Sequence, residues 1–412
     1  MSGDPPPNRC DVAVVGAGIL GLAAARELSR RSADLRVAVL EKEDEVGYHQ
    51  TGHSSGVVHA GIYYAPGSLK ARLCTAGARE LYEYCEERGI PHERCGKVIV
   101  ATSEAELPAL AELERRGRAN GVPGLRRLGA GELRDIEPHA QGVAALHSPN
   151  TGIADFPAAA RAFADDVRSA GGTVTTGTAV SAVRDGRNEV EIRHADGSTV
   201  ARAALVCAGA WADRLAVKAG APADPRIVPF RGAYLRLKPE RRNLVRGLIY
   251  PVPDPELPFL GVHLTRHVDG EVLIGPTALL SPARDAYRLR TARGRDIRES
   301  LAWPGTWRMA RRFWRTGLAE IGYAASRRRL VRAAARFVPE LGPSDVVGGP
   351  AGVRAQALGR DGRLVDDFVF SRTGRTLHVR NAPSPAATSA LAIAREIADQ
   401  AAPLIANVPP RP

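Results

Sequence analysis

The chain has 412 residues, 44% of them hydrophobic and 25% charged, which excludes a disordered or low-complexity protein and leaves room for two domains with large cores. Its formal charge of +12 rests on 57 basic residues, and all but Lys42, Lys70, Lys97, Lys218 and Lys238 are arginine; so general a bias argues against a dedicated polybasic site, and no nucleic-acid partner is expected. No apolar run reaches the roughly eighteen residues of a membrane span, residues 1–9 are polar and proline-rich, and Cys10, Cys74, Cys85, Cys95 and Cys207 form no C-x-x-C pair, so we expect no signal peptide, membrane anchor, disulfide framework or metal site, and a cytoplasmic location.

Near the N-terminus a short apolar run, Val12 to Val15, leads into Gly16, Gly18 and Gly21 in G-x-G-x-x-G spacing. In a strand–turn–helix setting the first glycine makes the tight turn, the second lets the backbone approach a pyrophosphate, and the third allows close helix–strand packing. A helix over about 19–31 then points its N-terminal N–H groups at the phosphates. A second apolar strand over 35–40 delivers Glu41 twenty residues after Gly21, where a carboxylate accepts the ribose hydroxyls and repels a 2′-phosphate. FAD or NAD is therefore favoured over NADP, and Lys42 is grouped with Glu41 among the cofactor contacts.

A Gly/His/Ser-rich loop over 49–64 precedes a helix over about 68–88. A strand near 97–101, a charged helix over 104–120 and a loop with Pro138 and Pro149 follow. Pro157 starts a helix that Gly171 and Gly172 end, and 173–176 and 190–193 read as strands. Ala203 to Trp211 reads as a buried strand running into a turn, so that Gly209 and Trp211 pass close to the dinucleotide. Such a late return to the cofactor sheet is similar to that of flavoproteins with two dinucleotide-binding domains and is not needed by nicotinamide dehydrogenases.

Strands at 233–237, 259–265 and 272–274 build the second domain. Trp303 to Phe337 mixes Trp303, Trp307, Phe313 and Trp314 with arginines and reads as two basic amphipathic helices joined near 317–322, either solvated or docked on a membrane surface. From Val346 the chain returns to the cofactor domain and ends in a helix over about 387–401. The expected fold class is α/β, a Rossmann-like FAD-binding domain (1–90, 150–220 and 345–412) interleaved with an α+β substrate-binding domain on a mixed or antiparallel sheet (91–149 and 221–344).

Three segments carry residues placed for chemistry. Between His49 and Tyr64, glycines let backbone run along a flat ring, Ser54 and Ser55 can bond phosphate or ribitol, and His53 and His59 can move a proton near neutral pH. Arg231, between Phe230 and Gly232, offers a bidentate fork to a carboxylate, with His263 following on a later strand. Gly352 and Arg354, together with Pro383 and Ser384 at the opening of the last helix, bring free N–H groups beside the cofactor.

Together these segments resemble the L-2-hydroxyglutarate dehydrogenase/oxidase family, within the D-amino-acid-oxidase-like FAD oxidoreductases, over nearly the whole chain. The stretches that carry the resemblance are 49–64, 95–97, 229–232, 250–254, 258–265, 350–356 and 381–389. It implies FAD, oxidation of a small dicarboxylic hydroxy acid, L-2-hydroxyglutarate, to 2-oxoglutarate, and electrons passed to the quinone pool or to dioxygen. A peripheral position at the inner face of the plasma membrane is the alternative to a purely cytoplasmic one. Where the family reads Gly-Pro-Asn-Ala and then a basic stretch, this chain has Thr277 and the different run Ser281 to Tyr287, a departure placed near the substrate.

Oxidising a 2-hydroxy acid removes a hydroxyl proton and a hydride from one carbon, so the site needs a base and carboxylate anchors. His59 is expected as base with His263 as its rival, Arg231 and Arg354 as carboxylate anchors, Lys70 for the distal acid, and Tyr64 as a further substrate contact. A related flavoprotein acting on glycerol 3-phosphate or an amino acid is the alternative, and a flavin-binding RNA- or membrane-associated protein the remote one.

Overall fold

The computed structural model describes residues 5–254 and 260–406, so Pro258, Phe259 and the start of the strand expected at 259–265 lie outside the described residues. Two large sheets organise the chain. The first has a parallel centre in which Arg9–Val15 lies between Val37–Leu40 and Gly197–Val206, with Thr173–Thr175 beyond the former and Thr376–Asn381 beside the latter. Its central strands read as continuous apolar runs because both faces are covered. On one face, helices Ile19–Arg31, Leu69–Arg88, Phe156–Ser169 and Ala390–Ala406 pack through Leu22, Leu28, Phe163 and Ile397.

Nine strands form the second sheet, which runs from Leu279–Leu280 through Arg226–Leu237, Val272–Gly275, His263–Arg266, Leu248–Pro251, Lys97–Ala101 and Ala144–Ser148 to Arg126–Gly129, with Val346–Leu358 along Arg226–Leu237. All its pairings are antiparallel except that of Leu248–Pro251 with Lys97–Ala101. The sheet is thus mixed, as expected from its alternating, loop-separated strands.

Three sequence expectations shift. The return at Val346 comes later, because Val346–Leu358 satisfies its backbone in a long ladder with Arg226–Leu237, and only Val369–Thr373 and Thr376–Asn381 rejoin the first sheet. The two helices expected in the basic stretch are three, preceded by Gly294–Ala302: Pro304–Arg312, Trp314–Ala325 and Arg327–Ala334. Gly317 and Gly322 lie inside a helix, while Pro304 and the capping hydroxyl of Ser326 set the breaks. The last helix starts at Ala390, after a run of turns that Ser384 opens just past Pro383.

Candidate active site

The Gly16 turn is built as its spacing requires. Gly16 has φ +104°, and a Cβ there would stand 2.5 Å from the Cys207 carbonyl oxygen; a Cβ on Gly21 would stand 2.0 Å from the Gly16 oxygen. Both contacts are backbone, so neither position accepts a side chain. Beside this turn lies a cavity of about 520 Å³, lined by Gly16, Gly18 and Gly21, by Glu41 and Lys42, by Cys207 to Trp211, and at its far end by Ala355, Ala382 and Ala386. Its walls come from many separate stretches of chain, and its volume lies in the ordinary range for a large bound organic molecule.

Glu41 is buried and fixed by backbone, accepting from Ala17 N at 2.7 Å and Glu43 N at 3.0 Å. Burial raises its pKa against those two bonds, and ribose hydroxyls are suitable further donors. No acidic side chain stands in the first turn of Ile19–Arg31, leaving the helix dipole uncancelled toward an anion. Lys42 lies 4.0 Å from the Trp211 ring centroid and His49 packs against that indole at 4.7 Å, both held by the Glu43 carboxylate. The chemistry of this cavity fits a dinucleotide with a diphosphate at the helix and a ribose at Glu41.

Past the far end a second group of side chains converges. His59 Nε2 lies 3.3 Å from Ser384 Oγ, while its backbone N donates to Thr388 Oγ1 at 3.1 Å, tying the histidine loop to the turns before the last helix. Ser384 also neighbours Tyr64, whose phenol it pulls down against the burial that raises it. His59 Nδ1 is sealed from solvent without a partner, so Nε2 is the nitrogen a ligand can reach. Burial, reinforced by the charges of Lys97, Lys70 and Arg354, holds this imidazole well below the usual histidine range. It is therefore a neutral proton acceptor surrounded by cations at neutral pH.

His263 stacks on Tyr250 at 4.1 Å and bonds the Gly261 carbonyl through Nδ1 at 2.9 Å. Burial pushes it down to about 3, so it too is neutral.

The structure therefore gathers His59, Tyr64, Lys70, His263, Arg354 and Ser384 around one region, but not Arg231. Arg231 is registered against Val353 and Arg354 against Phe230, so the two side chains leave the ribbon on opposite faces. Arg231 Nε donates instead to the Ala286 carbonyl at 2.8 Å. Lys70 is also committed, to Asp366 at 2.7 Å, with Tyr64 under its ammonium at 4.9 Å.

His53, Ser54, Ser55, Gly352 and Pro383 lie outside the cavity wall. His53 stacks on Tyr287 at 3.6 Å, Ser54 Oγ donates to Thr51 O at 3.1 Å, and Gly352 passes the His53 carbonyl too closely for a Cβ. Within the departure at 277–287, Thr277 Oγ1 accepts from Ala233 N at 3.1 Å, Arg284 is buried against Asp213, and the Tyr287 hydroxyl lies 3.0 Å from Nδ1 of His49 in the cavity wall.

Sequence reasoning passed over Thr51, whose hydroxyl accepts from Ile19 N at 3.1 Å, and Gln50, which bonds Ala355 N at 3.1 Å. It also left Lys97 without a role. A signal was present: Lys97 is one of five lysines and opens the run Val-Ile-Val-Ala, a strand with no polar face.

Comparison with known proteins agrees with this geometry. The family model described as FAD dependent oxidoreductase matches residues 11–400. The mitochondrial L-2-hydroxyglutarate dehydrogenases of Nematostella vectensis and Homo sapiens are 48% and 45% identical, over 96% and 95% of this chain and 91% and 88% of theirs. The L-2-hydroxyglutarate dehydrogenase of Escherichia coli K12 is 42% identical over 96% of this chain and 94% of its own. Among solved structures, an FAD-bound L-alpha-glycerophosphate oxidase from Mycoplasma pneumoniae superimposes with a TM-score of 0.78 at 24% identity, covering 97% of this chain and 95% of that one, a likeness of fold.

Proposed function

Since the chain belongs to the FAD dependent oxidoreductases and, among them, to the L-2-hydroxyglutarate dehydrogenase family, we propose that it oxidises L-2-hydroxyglutarate to 2-oxoglutarate. The observation that carries this reading is the neutral imidazole of His59 set among Arg354, Lys97 and Lys70 at the end of the dinucleotide cavity. Bound FAD supplies the acceptor for the hydride that leaves the hydroxyl-bearing carbon. His59 Nε2 takes the hydroxyl proton, Ser384 and Tyr64 orient the ring, and the Arg354 fork holds a substrate carboxylate. Anaerobic mixing of the holoenzyme with each enantiomer of 2-hydroxyglutarate tests this: the L form bleaches the flavin and the D form does not. Bleaching by glycerol 3-phosphate or an amino acid, with none by L-2-hydroxyglutarate, overturns it.

Electrons then pass to a quinone or to dioxygen, and one observation favours the quinone. Trp307, Trp314, Leu318 and Ile321 are all exposed, and the Trp314–Ala325 helix buries none of its residues. Arg308, Arg311, Arg312 and Arg315 flank these side chains. Apolar side chains framed by arginine suit an anionic bilayer surface, where a lipid-dissolved acceptor is at hand. No described helix is long and apolar enough to cross a membrane.

A further inference from the structure

Among the described residues, Lys97 is the charged side chain near His59 to which the proposed reaction gives no defined contact. It opens the strand Lys97–Ala101, is 2% exposed, and has its ammonium 4.1 Å from the Tyr250 ring centroid and 5.3 Å from that of Tyr63. It makes no ion pair or hydrogen bond among the described residues, and the nearby Tyr63 hydroxyl is buried without a partner. An ammonium taken out of water is costly unless an anion compensates it, and aromatic faces supply only part of that compensation. Lys70, the obvious candidate from sequence, already has Asp366.

We infer that Lys97 receives the distal carboxylate of the five-carbon diacid, while Arg354 holds the carboxylate next to the reacting carbon. Arg354 stands on Val346–Leu358, the strand whose Ala355 lines the dinucleotide cavity, and its charge is felt by both His59 and His263. Lys97 stands farther across the second sheet, beyond Arg226–Leu237, Val272–Gly275, His263–Arg266 and Leu248–Pro251. His59 and His263 feel both cations, so both anchors lie near the two imidazoles, and the Tyr250 ring that Lys97 faces stacks on His263. The inference rests on the diacid reading above and deepens it: selectivity for a second carboxylate comes from a buried lysine.

A pH signature follows. Burial lowers Lys97 to about 7. The groups facing it titrate elsewhere: His263 at about 3, His59 well below the usual histidine range, Cys74 and Cys95 at about 12 and 11, and Tyr63 and Tyr250 above the usual tyrosine value. A distal carboxylate must therefore bring a proton to Lys97 when binding above pH 7, and affinity for it falls as pH rises.

The test compares glutarate with butyrate, which lacks only the second carboxylate, by titrating the flavin absorbance of oxidised holoenzyme. Glutarate affinity should weaken about tenfold between pH 6 and pH 8 with net proton uptake, and butyrate affinity should stay within about twofold. Lys97→Met should remove the preference for glutarate, and Lys97→Arg should keep the preference while flattening its pH dependence. Should Lys97→Met fail to fold, the wild-type profiles and Lys97→Arg still decide. Equal pH dependence for both acids, or a Lys97→Met enzyme that keeps its glutarate preference but loses flavin reduction, overturns the inference. Absence of any flavin reduction by L-2-hydroxyglutarate instead defeats the functional reading.

Discussion

At the scale of single residues, His59 combines two properties that a proton acceptor for an alcohol requires: one accessible nitrogen and a charge state that is neutral at working pH. His59→Gln keeps the hydrogen-bonding length of the side chain but not its basicity. It should slow anaerobic flavin reduction by a factor of about 100 to 10,000 while the protein stays yellow. Because the imidazole is held below its ordinary value, the wild-type rate should not fall as pH is lowered through 6.5, where an unperturbed histidine would protonate. An unaltered rate in the variant, or a wild-type rate that halves near pH 6.5, removes His59 from the role. Glu41 and the glycines were legible in the sequence because each answers to one backbone constraint. Arg231 was misjudged because its choice of face depends on register with Val353, a partner more than a hundred positions away.

At the scale of elements, most helices and strands were legible where hydrophobic period and end signals agreed. Ile19–Arg31 and Lys97–Ala101 fall on their expected positions, and Ser68 caps Leu69–Arg88 by accepting from Ala71 N at 3.2 Å. The basic stretch was not, because its helices are short and the Trp314–Ala325 helix presents apolar residues outward, opposite to the pattern on which a core-facing reading relies. That inversion makes a prediction. Leu318→Glu with Ile321→Glu removes apolar side chains that are 59% and 55% exposed, so the folded state should change by no more than about 0.5 kcal/mol in urea unfolding. Binding to vesicles containing phosphatidylglycerol, however, should weaken by about tenfold or more, since each side chain no longer enters the interface and two charges oppose it. Vesicle binding that survives both substitutions argues against the docking face.

At the scale of the whole molecule, the cofactor cavity and the His59 region draw on both sheets, so catalysis depends on how firmly these are held together. A buried polar strut does part of this. Arg284, 3% exposed, bonds Asp213 through both terminal nitrogens, one at 3.1 Å, and reaches the Ala210 and Ile227 carbonyls. Asp296 accepts from the Arg284 backbone at 2.8 Å and pairs with Arg214, which also meets Glu299 at 2.6 Å. Asp213 and Arg214 follow the turn that lines the cavity at Cys207 to Trp211, whereas Arg284 and Asp296 belong to the excursion around the second sheet. The sequence placed the unusual run 281–287 near substrate and gave its arginine no role, because the carboxylate that neutralises it comes seventy-one residues earlier. Asp213→Ala leaves that guanidinium buried without its carboxylate and takes the acceptor from Ile227 N, so it should cost about 3–5 kcal/mol in urea unfolding of the holoenzyme. Replacing both partners, Asp213→Leu with Arg284→Met, removes the uncompensated charge and should recover most of that loss. If the single variant loses less than about 1 kcal/mol, or the double variant is no better than the single one, the pair does not brace the two sheets.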